Sequence, residues 1–285
     1  MPRVAARLLA LAALLSALAV LAAACGGSSS SSSGGDTSAA KSPSRNGQVR
    51  FLWEEPETEA DAVGYELLQA SETEYLAKSL AEAFELPNPL TVKGVNGLGG
   101  GPFYNPQDNS ITLPYGFAAL VYEVLGQNNP EASEEELGER IGAVNSFIFA
   151  HEFGHALIAN YNLPVLGREE DAADSISTAL LLLAPEGAAY ATEAAAFWAD
   201  FSGRQSPPAL VEYADVHSLD LQRAYNVLCW VAGSSEQSFE EVAELELLPP
   251  ERLESCPLEY EQLAESIKQE LEPHLKHPIN LKPGQ

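Results

Sequence analysis

The sequence predicts an α+β fold, with a small N-terminal sheet followed by a mostly helical C-terminal part. Three observations carry that prediction. Strand-like runs rich in β-branched and aromatic residues occur only early, at Val49–Trp53, Leu90–Lys93 and Ser110–Leu113. Helical apolar spacing dominates from Glu134 onward. One long apolar run encloses a polar cluster, Phe147-Ile148-Phe149-Ala150 before it and Ala156-Leu157-Ile158-Ala159 after it, as a central buried helix would. No internal repeat is present.

Met1–Ala24 carries Arg3 and Arg7, then a Leu/Ala run, then three alanines, which is the pattern of a signal peptide. Cys25 after these small residues resembles the lipobox of bacterial lipoproteins. The resemblance implies cleavage before Cys25, lipidation of Cys25, and tethering to the extracytoplasmic face of the cell membrane. One departure is that Leu21 stands four residues before the cysteine, with Ala22 in the place where leucine is usual. Residues 25–47 are Gly- and Ser-rich, cannot bury a core, and read as a flexible tether. The folded domain is assigned to residues 48–285.

Within it, residues 49–53 form the first strand. Residues 72–84 show helical spacing through Tyr75, Leu76, Leu80 and Phe84, with Pro87 beyond. A second strand spans 90–93, and 94–102 is a Gly-rich loop without the Gly-Lys-Ser/Thr ending of a phosphate loop. Residues 103–109 read as a turn and 110–113 as a third strand stopped by Pro114, either internal or an edge on which an extended substrate could pair. Helices follow at 118–125, at 134–161, from about 168 to Pro185, at 188–201, at 219–231 and at 259–275, with a Pro-containing loop at 203–209.

Net charge is −26, and because residues 1–47 contribute +3, the domain carries −29. A surface of that sign does not hold nucleic acid or anionic lipid. With Cys25 assigned to lipid, Cys229 and Cys256 remain, and outside the cytoplasm two such cysteines pair.

The polar cluster inside the apolar run is His151-Glu152-Phe153-Gly154-His155. Residues four apart share one face of a helix, so His151 and His155 point the same way, spaced for one zinc ion. Glu152 lies beside them, where its carboxylate can reach a water on the ion. Burying these groups without a partner costs several kcal/mol or so, and a metal supplies the partner. Gly154, which costs about 1 kcal/mol relative to Ala in a helix, points to close packing or a functional demand.

Two histidines need a third ligand. The segment Glu169-Glu170-Asp171-Ala172-Ala173-Asp174 opens the next helix, where acidic residues also suit the helix dipole. Glu170 is the favoured ligand because Asp174 lies one turn on and can accept a hydrogen bond from a ligand imidazole. Glu169 and Asp171 are the alternatives.

This H-E-x-x-H helix followed by an E-x-x-A-D helix resembles the gluzincin clan of zinc peptidases. More closely, residues 151–155 with 163–174 resemble a bacterial metallopeptidase family of unknown function, as do Phe103-Tyr104-Asn105-Pro106, Ile111-Thr112-Leu113, and Ala214 to Asn226 with Cys229, Leu248-Pro249 and Cys256. Cysteines expected near the upstream strand are absent, which removes a second disulfide from the expectation. The resemblance implies a zincin-like fold, a Zn²⁺ cofactor, a peptide or protein substrate, and hydrolysis by a zinc-activated water with Glu152 as general base. His217 is the candidate for steadying the oxyanion, oriented by Asp215 or Asp220, and Arg223 reads as a structural ion pair. Two other readings stand beside the peptidase: a non-catalytic zinc-fold binding module, and a zinc hydrolase of a non-peptide bond.

Overall fold

A computed structural model of the chain describes residues 49–203, 208 and 210–278. The signal peptide, Cys25 and the tether lie outside the described residues. The observed class is α+β, a four-stranded mixed sheet with helices making up most of the rest.

Strand β1 (Val49–Trp53) alternates half-buried and exposed residues, as a strand with one covered face does. It pairs in parallel with β2 (Leu90–Val95), which pairs in parallel with β4 (Ser110–Pro114). The short strand β3 (Phe103–Asn105) lies antiparallel on the far side of β4 and forms the edge. β4 is therefore internal, and all five of its residues are buried, so no substrate can pair with it. Its run of buried residues is what an internal strand covered on both faces requires. The turn expected at 103–109 is half strand, with Asn109 turning the chain at a φ of 51°.

Helix α1 (Glu59–Ala70) has no counterpart in the sequence reading. Its buried positions are Asp61, Gly64 and Leu68, and a stripe built of an acid and a glycine shows no apolar period. Gly64 is there because α1 crosses the backbone closely. A Cβ at that position would lie 1.9 Å from the Tyr115 carbonyl oxygen. Helix α2 (Thr73–Ala83) and helix α3 (Tyr115–Asn128) follow, the latter beginning directly after Pro114.

Helix α4 (Glu134–Tyr161) begins in a capping box of Ser133 and Glu136 and ends on Asn162 in the left-handed region, φ 52°. From Ala143 to Ile158 every residue is buried, so this stretch is covered on all sides. Helix α5 (Glu169–Leu181) packs across it, and helix α6 (Gly187–Ser202) packs on α4 as well. Short helix α7 (Leu210–Tyr213) leads by an irregular stretch to α8 (Asp220–Ser234). Helices α9 (Glu236–Glu244), α10 (Pro250–Leu253) and α11 (Cys256–Glu270) complete the fold. α11 starts three residues earlier than expected and stops before Pro273, after which a single 3₁₀ turn spans Glu272–His274. Cys229 on α8 and Cys256 on α11 form a disulfide.

Two apolar clusters flank α4. One joins the sheet, α2, α5 and α11 around Phe149, Phe153 and Leu157. The other joins α3, α6 and α8 around Val144, Phe147 and Ala150. Full burial of each of the phenylalanine, leucine and valine side chains contributes about 1.5–3 kcal/mol. The polar motif sits on α4 where the two clusters meet.

Candidate metal centre

His151, Glu152 and His155 are all buried, at 4 %, 5 % and 9 % exposure. α5 reaches them because α4 has no side chain at the crossing. A Cβ on Gly154 would lie 3.2 Å from both Cα and carbonyl oxygen of Ala173. Ala173 thus rests against Gly154, with Glu170 and Asp174 on either side of that contact. This is the close packing that a mid-helix glycine indicated.

Each of the two imidazoles is held by its Nδ1. His151 Nδ1 is 2.7 Å from Asp174 Oδ1, and His155 Nδ1 is 2.8 Å from Glu169 Oε1. A carboxylate at that distance fixes Nδ1–H as the donor and leaves the Nε2 lone pair free to bind an ion. The two Nε2 atoms are 3.2 Å apart, and each is 3.1 Å from Glu170 Oε2. With Nδ1 as the donor on each ring, three acceptors converge on one point, an arrangement that a cation satisfies. Four ligands at about 2.0–2.1 Å in a tetrahedron have edges of about 3.3 Å, so the spacing also fits zinc-like bond lengths. Glu152, Glu169, Glu170 and Asp174 surround this point against one guanidinium, Arg223, so acidic side chains are in excess there. Among the described residues this His-His-Glu trio is the group whose ligand atoms cluster closely enough to hold an ion.

The network behind the trio extends the charge balance. Arg223 binds Asp174 through two bonds, Nε to Oδ2 and Nη2 to Oδ1, both 2.8 Å, and its guanidinium lies 4.0 Å from the Trp198 ring centre. Burial raises the Asp174 pKa, but the guanidinium and His151 outweigh it and hold the carboxyl well below its usual range. Glu170 is likewise depressed: burial opposes ionisation, and the His151, His155 and His217 imidazoles beside its carboxylate outweigh it. Glu152 moves the other way, its pKa raised chiefly by burial.

His217 lies at the rim of the cradle. Its Nε2 is 2.9 Å from Glu170 Oε2, and its Nδ1 is 3.0 Å from Asp215 Oδ1. Asp215, rather than Asp220, is therefore its orienting carboxylate. Glu169 and Asp171, the alternative third ligands, face elsewhere, Glu169 to His155 and Asp171 to the hydroxyl of Ser218. Sequence reading weighed Glu169 only as a ligand and missed its place behind His155, since three acids in a row on a helix give no sign of which face each takes.

A cavity of about 290 Å³ opens beside His151, Glu152 and His217. Its lining combines apolar residues, among them Phe117, Phe147 and Trp198, with the charged Asp215, Asp220 and Arg223.

The sequence profile of a family described as "Putative metallopeptidase" matches residues 53–271. The chain belongs to this family. No curated protein and no solved structure matches it. The match runs from the last residue of β1 to just past α11, so the His-His-Glu cradle lies within it.

Proposed function

We propose that this metallopeptidase is a zinc-dependent peptidase, with His151, His155 and Glu170 holding the ion. The observation that carries this reading is the convergence of three acceptors on one point beside a buried, unligated carboxylate, Glu152. When bound, the ion supplies Lewis acidity, which acidifies a water and polarises a carbonyl. Glu152 takes the proton of the attacking water and returns it to the leaving amine. His217, held at Nδ1 by Asp215, donates from Nε2 to the developing oxyanion. Asp174 and Glu169 keep both ligand imidazoles in the tautomer that offers Nε2. β3, an edge strand among the described residues, offers backbone groups to an extended peptide, and the cavity, with its aromatic lining, receives a large side chain next to the scissile bond. The leader-like N-terminus and Cys25 support a setting on the outer face of the membrane, tethered by lipid.

The test is metal content of the purified full chain together with cleavage of a peptide library, with and without chelator. The wild type and Glu152→Gln should each retain about one zinc, Glu170→Ala should lose it, and Glu152→Gln should cleave about 10²–10⁴ times more slowly. A chain that folds without binding zinc overturns the reading. Zinc binding without peptide cleavage would favour the hydrolase of a non-peptide bond or the binding module.

A further inference from the structure

Four consecutive residues at the start of α5 each serve a different group. Glu169 and Glu170 face the two ligand imidazoles. Their flanking neighbours turn to the irregular segment 214–219. Arg168 donates from Nη1 to the His217 carbonyl at 2.6 Å and reaches the Asp215 carbonyl at 3.4 Å. Asp171 Oδ1 accepts from Ser218 Oγ at 2.7 Å. Between these anchors the His217 ring is held by Asp215 and meets Glu170. The segment forms neither helix nor strand, Val216 is 66 % exposed, and its other bonds are local, from Asp215 N–H to the Glu212 carbonyl, from His217 N–H to Asp215 Oδ1 and from Leu219 N–H to Gln222 Oε1.

The location of Arg168 is itself informative. It occupies the N-cap of α5 and makes no side-chain cap. A cation there opposes the helix dipole and replaces the Ser, Thr, Asp or Asn that would cap it. Helix formation gives no reason for an arginine at this position, whereas the two carbonyls do.

We propose that Arg168, with Asp171 and Ser218, positions His217, so that the helix supplying the third ligand also fixes the imidazole at the rim. The catalytic use of His217 rests on the proposed peptidase function; the anchoring does not. The anchoring is read by amide hydrogen exchange over 214–219 in the zinc-loaded full chain. Arg168→Ala should speed that exchange about tenfold, as loss of a charged hydrogen bond would, with metal content unchanged, and Arg168→Lys should restore most of the protection. Ser218→Ala should act in the same direction. In peptide cleavage, Arg168→Ala should lower kcat about tenfold with little change in KM, and should lower it no further in a His217→Ala background. Unchanged exchange in Arg168→Ala overturns the anchoring. Equal losses of kcat with and without His217 overturn the positioning role. A wild type that cleaves nothing defeats the peptidase reading alone, and the exchange result still decides the anchor.

Discussion

Arg223 offers the sharpest test of how the centre is built. Its guanidinium and the Asp174 carboxylate are both almost fully buried, at 6 % and 3 % exposure, and share two bonds of 2.8 Å. Arg223→Met keeps much of the apolar stem that packs on Trp198 and removes only the fork. Asp174 is then left buried with the His151 imidazole still bonded to its Oδ1. Breaking a buried pair in this way costs about 3–5 kcal/mol, because the survivor stays desolvated. In a domain of this size each kcal/mol moves Tm by about 2–4 °C, so the loss should be on the order of 10 °C. Asp174→Asn in the Arg223→Met background should recover part of it, since the unpaired charge is gone while an acceptor for His151 Nδ1 remains. Thermal and denaturant unfolding of wild type, both single variants and the double variant, all stripped of metal, would measure the coupling. If Arg223→Met lost less than about 1 kcal/mol, Asp174 would not depend on the guanidinium for its charge, and the account of the buried network would be wrong.

Other consequences are independent of that pair. The Cys229–Cys256 bridge closes a loop of 27 residues, so replacing both cysteines by serine should destabilise by about 3.5 kcal/mol on the loop-entropy model, read by denaturant unfolding. Asp61 accepts from the Thr58 hydroxyl and backbone and from the Gly97 backbone, and the Thr58 side chain is the main cause of its lowered pKa. A carboxyl whose folded pKa lies below its unfolded value contributes stability above about pH 4 and loses it as pH falls through the folded value; Asp61→Asn should flatten the acid limb of a stability profile. Gly154→Ala gains about 1 kcal/mol of helix propensity but presses on the Ala173 backbone, so it should weaken zinc binding in a competition titration more than it changes Tm. Cys25→Ser should move the protein from the membrane fraction to the soluble one, with cell fractionation as the readout.

How much of this could be read without the structure depends on where the information resides. The grouping of His151, His155 and Glu170 was legible because helical period alone puts His151 with His155, and Glu170 with Asp174, on common faces. α4 and the cysteine pair were equally plain, the first from its long apolar run and the second from the compartment. α1 was hidden because its buried face consists of Asp61, Gly64 and Leu68, so the stripe follows backbone proximity rather than hydropathy. α9 was hidden for a related reason: it buries only Ser238 and Val242 of an acid-rich stretch. The strand order was hidden as well. Period 2 tells which residues alternate, but the fact that β4 is internal and β3 lies at the edge follows from long-range pairing.

The acids at the start of α5 show why the final level of detail needed coordinates. Glu169, Glu170, Asp171 and Asp174 are chemically alike, and the helix dipole would favour all of the first three. What separates them is the angle each takes around α5, set by the contact of Ala173 on Gly154. With that contact fixed, successive residues are about 100° apart around the helix axis, and one carboxylate faces the two Nε2 atoms while its neighbours face His155 Nδ1 and Ser218. The specificity of the centre is therefore carried as much by the small residues at the crossing as by the ligands. A shift at Gly154 would change which acid meets the two imidazoles before it changed whether any did.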